Sequence, residues 1–382
     1  MGPLAGKRII EIGGIGPVPF CGMLFADMGA DVILVERRTN SLKTMGSDAD
    51  PTFRIVDRGK KSIALDLKQS RAVDIVLGLL EDADGLIEGF RPGVMERLGL
   101  GPDKCLRANP GLVFGRMTGW GQYGPLSHAA GHDLNYIALS GALCFSGRSD
   151  SPPSSPATLV GDIGGGAMML AIGMLAAMVN AQTSGKGQVV DAAITDGSAL
   201  STSLIYSLFK NGSWSVDRES NLLDGGSHWY GCYECADGKY ISLGSLEPEF
   251  YALLLEKLGL ENDPDFADQY DRERWPALKE RFADIFRTRT RRQWCDLLEG
   301  SDVCFAPVLD FNEAPDHAHN RERGVFATVA GVTQPAPAPR FSETVSEVSS
   351  PPPRPGQHSE AILGLAGFTR AEIDALREQA VI

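Results

Sequence analysis

Short apolar runs alternate with longer stretches of helical spacing through the first 210 residues. Residues 7–12 form an apolar run that ends in Gly13-Gly14-Ile15-Gly16-Pro17, and helical spacing follows over about 18–28. Gly29-Ala30 stops that helix, and residues 31–36 make a second apolar run. Strand, crossover helix and strand in this order are a βαβ unit and predict a parallel, doubly wound sheet. The alternation continues with a strand at 62–67, a helix over about 70–84, and strands at 85–88, 112–117 and 188–192. A helix over about 196–210 closes the series.

Residues 163–182 are apolar nearly all round, which predicts a central core helix. Its methionines, 168, 169, 174 and 178, read as core, with Met168 or Met169 as alternative linings of a soft apolar pocket. Beyond a polar stretch at 211–227 the pattern changes. Residues 229–235 and 239–244 flank the turn Ala236-Asp237-Gly238 and predict a β-hairpin. Helices over 247–258, 275–287 and 291–299 follow, then a strand at 304–309. Proline-rich segments at 335–339 and 351–355 read as extended, and 369–379 as a terminal helix. The expected fold class is α/β, a large Rossmann-like parallel-sheet domain plus a smaller α+β domain. The expected division is a large domain at 1–210, a linker at 211–227, a small domain at 228–325, and a segment 326–382 that returns to the large domain.

Composition narrows the functions open to this fold. A formal net charge of −13 argues against a broad nucleic-acid or anionic-membrane surface. Seven scattered cysteines suit a reducing compartment, and the single Cys232-Tyr233-Glu234-Cys235 lacks two further ligands for a zinc site, so no metal is expected. No basic-then-apolar leader pattern opens the chain, and the longest apolar run, 167–179, is too short for a membrane span. The expectation is a soluble, cytoplasmic protein.

The first βα turn invites a dinucleotide reading, but Pro19 stands where the third glycine belongs. Gly13 and Gly16 can still present backbone N–H groups to an anion. Arg37, Arg38, Arg54, Arg58, Lys60, Lys61 and Arg91 recur at strand ends. They read either as a solvated rim or as a pocket for a polyanionic ligand. GxSxG, GxxxxGK[ST] and HExxH are all missing. What remains is an acid and a base on glycine-rich backbone. His132 stands between Gly131 and Asp133 at an expected helix start, where N–H groups would keep its ring neutral and basic. Asp162, in Gly161-Asp-Ile-Gly-Gly-Gly166, is the expected N-cap of the apolar helix, with free N–H groups nearby for a developing enolate. A plain capping role stays open for both.

Motifs spread along the chain carry a resemblance. They are Arg91-Pro92-Gly93-Val94, Thr118-Gly119-Trp120-Gly121-Gln122, Gly131-His132-Asp133-Leu134-Asn135-Tyr136, Leu159-Val160-Gly161-Asp162 and Ser184-Gly185-Lys186-Gly187-Gln188-Val189-Val190-Asp191. In this order the chain resembles the α-methylacyl-CoA racemase branch of the class III (formyl-CoA transferase type) CoA-transferases, from about residue 4 to 342. The resemblance implies racemisation of 2-methylacyl-CoA thioesters by two-base proton transfer through an enolate. His132 and Asp162 match the two bases, and Glu247 matches an acid that orients the histidine. Arg38, Leu65, Asp66, Leu67, Arg91, Ala130, Gly131, Asp133, Leu134 and Asn135 match CoA contacts. CoA would belong to the substrate, with no separate cofactor. The resemblance also implies an interlocked homodimer in which Glu247 comes from the partner. The alternative within the fold is a class III CoA-transferase with Asp162 as nucleophile. A non-catalytic CoA- or nucleotide-binding module is a further class.

Overall fold

A computed structural model describes residues 2–37 and 51–382. Arg38, one of the expected CoA contacts, lies outside the described residues. The chain divides into two compact units, one of residues 1–140, 157–201 and 322–382, the other of 141–156 and 202–321. The second unit therefore takes in 202–227, which the sequence pattern assigns to the end of a large domain and a linker.

The first unit is built on six parallel strands. They are β1 (Arg8–Ile12), β2 (Asp31–Glu36), β3 (Lys61–Ala64), β4 (Gly85–Glu88), β5 (Val113–Thr118) and β6 (Val189–Ala193), in spatial order 3-2-1-4-5-6. The order reverses between β1 and β4, and the loops leaving the carboxyl ends of these two strands flank a crevice where such sheets bind ligands. Helices α1 (Pro17–Asp27), α2 (Ser70–Leu80), α3 (Val94–Arg97), α4 (Pro102–Ala108) and α5 (Asp133–Ser140) connect the strands. Alternation along β1 separates two cores. Ile10 and Ile12 face α2 and the chain's C-terminal residues, whereas Ile9 faces α1 and the long apolar helix.

That apolar helix departs from expectation in three ways. It begins at Leu159, and Leu159–Met168 winds as a π-helix before continuing as α6 (Met169–Ser184). Its 26 residues are long and apolar enough to cross a membrane by length and composition, so the expected argument that the run is too short does not hold. Nor is it buried all round. Leu170, Met174 and Met178 pack on the sheet, where Gly115 leaves room for Leu170 and Met174. Met168, Ile172 and Val179 are exposed, so Met168 is not core. α7 (Ile194–Ser201) crosses the π-helix so closely that neither Gly165 nor Gly197 could carry a Cβ.

The second unit begins its main run with α8 (Ser203–Lys210), so the single helix expected over 196–210 is two helices broken at Thr202. Strands β7 (Tyr230–Glu234), β8 (Tyr240–Gly244) and β9 (Phe305–Val308) form an antiparallel sheet. Helices α9 (Pro248–Leu258), α10 (Trp275–Phe286) and α11 (Arg291–Leu298) cover it. The core is aromatic, with Trp229, Trp275, Phe266, Phe282 and Phe286 fully buried. His228 sits among them, its Nε2 2.7 Å from the Tyr251 hydroxyl, and burial pushes it down to about 3. It is a core histidine.

α12 (Ala318–Arg323) leads back to the first unit through a hairpin of β10 (Phe326–Val329) and β11 (Val332–Pro335). α13 (Ser359–Leu365) and α14 (Arg370–Glu378) then pack Ile362, Leu363, Ile373 and Leu376 into the core beside α2.

Candidate functional site

Local backbone sets the position of both His132 and Asp162. His132 immediately precedes α5, its N–H donating to the Asn135 side chain at 3.0 Å while its carbonyl accepts the Asn135 N–H at 2.8 Å. This reciprocal pair holds the first turn and leaves the imidazole exposed. Tyr136 secures the other side. Its hydroxyl donates to the Gly131 carbonyl, and its ring meets Trp120 edge-on with centroids 4.7 Å apart. Glycine is required at 119 and 131 because a Cβ at either would overlap the Tyr136 ring. The glycine-rich motif after β5 thus makes room for one tyrosine that anchors the peptide before His132.

Asp162 is not the expected N-cap. Thr158 occupies that place with φ 66°, after Ala157 at φ 52°, and Asp162 lies in the first turn of the π-helix. Left-handed backbone at two successive non-glycine residues is strained, and π-helical turns concentrate at functional positions. The Asp162 N–H is not free for an enolate either. It donates to Asp133 Oδ1 at 2.7 Å. Gly161 is obligatory because a Cβ there would overlap that same carboxylate oxygen. Across from it, Gly16 in the turn after β1 brings its backbone against Asp162, a Cβ falling 3.3 Å from Oδ2. The carboxyl therefore sits at the β1 edge of the switch-point crevice.

Electrostatics at this point are unusual. Burial and then the Asp133 charge push the Asp162 carboxyl from 3.8 up to about 6, with His132 opposing. His132 and Asp162 are thus close enough to feel one another. Burial and the Asp162 charge likewise raise the Tyr136 phenol, while Arg91 draws it down. Arg91 is exposed in the turn after β4. That turn is held by buried Glu88, which accepts the Phe90 N–H at 2.7 Å and the Arg116 Nε–H at 3.1 Å.

The structure brings His132, Asp133, Tyr136, Asp162, Gly16 and Arg91 to one end of the sheet. Gly131, Leu134 and Asn135 share α5's start with His132, and exposed Ala130 precedes them. Leu65 is buried, and the Asp66 N–H donates to the Val381 carbonyl at 3.0 Å, placing 65–67 against the C-terminal residues. Glu247 is exposed in the second unit at the N-cap of α9. Four of the cations read as a polyanion pocket are spent internally. Arg58 pairs with Asp27 at 2.6 Å, Lys60 with Glu11 at 2.8 Å, Lys61 with Asp31 at 2.6 Å and Arg54 with Asp57 at 2.6 Å. Sequence reading missed Tyr136 and the contact of Gly16 with Asp162. The unusual glycine density was the available signal.

The model of CoA-transferase family III matches residues 4–359. The chain belongs to this family. It is 42% identical over 381 residues to an alpha-methylacyl-CoA racemase from Mus musculus, covering 99% of this chain and 97% of that protein. The Homo sapiens alpha-methylacyl-CoA racemase is 41% identical over the same length, with the same coverage. Among solved structures, a CaiB/BaiF family protein from Brucella suis superposes with a TM-score of 0.83 at 24% identity. It covers 96% of this chain and 99% of that one, a likeness of fold.

Proposed function

We propose that this protein interconverts the (2R) and (2S) epimers of 2-methylacyl-CoA thioesters by moving one proton off the α-carbon and returning another to the opposite face. The observation that carries this reading is the pairing of exposed His132 with an Asp162 carboxyl raised to about 6, at the switch point of a family III fold. Racemisation needs two proton carriers, one empty and one loaded, at the same pH. A carboxyl raised toward neutrality beside an imidazole meets that requirement.

In one direction neutral His132 takes the α-proton, the electron pair moves into the thioester carbonyl as an enolate, and Asp162 gives its proton to the other face. In the other direction the roles exchange. Arg91, exposed and unpaired among the described residues, fits a CoA phosphate. CoA enters as part of the substrate.

The proposal includes a homodimer in which the partner's second unit supplies the acid at position 247 to orient His132. Two features support it. The 26-residue apolar helix leaves Leu159, Met168, Ile172 and Val179 exposed, and α8 leaves Leu204, Tyr206 and Phe209 exposed. Faces of this kind suit a partner.

Incubation with (2R)-2-methylacyl-CoA in D₂O tests the reading. Epimerisation with α-deuterium uptake and no acceptor acid is expected. CoA transfer to an added carboxylate without α-exchange would replace it with the transferase reading.

A further inference from the structure

We infer that Asp133 is a positioning residue for the proposed reaction: its buried carboxylate pins the backbone at Asp162 and keeps a negative charge beside that carboxyl, so Asp162 is the member of the acid pair that carries the proton. The inference rests on the two-base reading and assigns Asp133 a task other than touching CoA.

Asp133 is 5% exposed. Its Oδ1 accepts the Asp162 N–H at 2.7 Å, and its Oδ2 is buried without a hydrogen-bond partner. A buried carboxylate so poorly paired is costly unless something offsets it. Here the offset is the N-terminus of α5, whose first residue is Asp133, together with the Asp162 N–H. Two carboxyl groups sharing one site do not both ionise readily. Asp133 has the helix terminus and the amide donor beside it, and its charge adds to burial in raising the Asp162 carboxyl.

The surroundings leave few other groups to set this balance. The residue before α5 is His132, which stabilises the Asp162 carboxylate, and α5 presents Tyr136, whose phenol senses Asp162 and Arg91. The turn before α1 presents uncharged Gly16. α7 meets the π-helix with Ser198, and its Asp196 bears on Asp191 instead. The pinning is also geometric. Gly161 admits the Asp133 oxygen, and the π-helical first turn leaves the Asp162 N–H free to reach it.

Asp133→Asn separates charge from contact, because the amide oxygen can still accept the Asp162 N–H. The test uses full-length protein labelled with ¹³C at aspartate carboxyls, without substrate. The Asp162 signal is assigned by its loss in Asp162→Asn. The Asp162 midpoint, near 6 in the wild type, is expected to fall by about one unit or more in Asp133→Asn. Asp133→Ala, which also removes the charge, must lower it too, so whichever variant folds reports. In turnover, both directions share one bell-shaped kcat/KM profile, because the epimer equilibrium is independent of pH. Its acid limb is expected to move to lower pH in Asp133→Asn, with KM for the acyl-CoA little changed. An unmoved Asp162 midpoint in a folded variant overturns the inference, even if wild type racemises with deuterium uptake. Absence of α-exchange in wild type would instead remove the two-base reading, while the carboxyl titration would still report on Asp133.

Discussion

Two clusters of charged side chains in the first unit, one around Lys60 and one around Asp162, are built to different rules. In the first, Lys60 is fully buried between Glu11 and Asp57, at 2.8 and 3.1 Å, and it also donates to the Pro19 carbonyl at 3.0 Å. Arg58 holds Asp27 and donates to the Gln334 side chain at 2.9 Å. Every cation there has an anion, so the cluster ties α1 to the sheet and to the returning C-terminal segment. In the second, Asp133 accepts the Asp162 N–H with exposed His132 nearby, and no cation pairs with either carboxyl among the described residues. Opposite charges packed together are architecture. Burial raises Glu11 to about 8 and raises Asp27 as well, against the pull of Lys60 and Arg58, so the second cluster is set apart by its missing cation and its exposure and not by the direction of its shift.

The largest effect expected from this difference is on turnover. His132→Ala and Asp162→Asn should each lower racemisation by about 10²–10⁴-fold, the usual worth of a positioned acid or base. Asp162→Asn should leave the melting temperature unchanged or higher, because it relieves repulsion from Asp133. Steady-state assays and thermal melts on the same preparations check both halves. A large loss of stability in Asp162→Asn would mean that the second cluster is architectural as well.

Lys60→Met should do the reverse. Removing the cation leaves Glu11 and Asp57 buried without it, at a cost of about 3–5 kcal/mol in denaturant unfolding. Changing Glu11 to Leu in the same chain should recover much of that loss, since Asp57 retains Arg54 at 2.6 Å. A Lys60→Met protein of unaltered stability but weakened CoA binding would restore the ligand-pocket reading of this cation.

These two clusters also mark where sequence reading succeeds and where it stops. β2 and β4 match their apolar runs residue for residue, because buried parallel strands bounded by glycine or charge are local signals. The start of the apolar helix was misplaced by four residues, because Gly161, Gly164, Gly165 and Gly166 disfavour helix and only packing against α7 and Pro17 makes them an asset. α4, α12, α13 and the β10–β11 hairpin went unread, being short and set in polar or proline-rich stretches. His132 and Asp162 were legible as a pair of chemical types. Asp27 lies 31 residues from Arg58, Glu11 lies 49 from Lys60, and Asp133 lies 29 from Asp162. Those three contacts leave no mark at short range, whereas Asp57 lies three residues from both Arg54 and Lys60 and offers a local partner to each.

Gly161→Ala joins the two kinds of readout. Its methyl would meet Asp133 Oδ1 and the Ile137 side chain, forcing the α5 start away from the π-helix. A stability loss of about 1–3 kcal/mol is expected from overpacking. Turnover should fall up to about a hundredfold through displacement of Asp162. If turnover is unchanged, the Asp133–Asp162 contact does not position the acid.

The smallest effect is the most diagnostic, since it concerns the sign of a pH dependence. The Asp162 carboxyl titrates near 6 in the folded chain against 3.8 in its ordinary state. Between those values the folded protein binds more proton than the unfolded chain, so this group's contribution is fully present below about pH 4 and is lost as pH rises through 6. The raw shift would correspond to about 3 kcal/mol. Asp162 is only half-buried, so solvent screening should reduce this to about 1 kcal/mol. Unfolding free energies from pH 4 to 7 should therefore show this loss in wild type and lack it in Asp162→Asn. The difference between the two curves isolates the group from every other carboxylate that titrates over the range. A difference curve that rises with pH would mean that Asp162 is stabilised as the anion, and the reading of this carboxyl as the loaded proton carrier would fail.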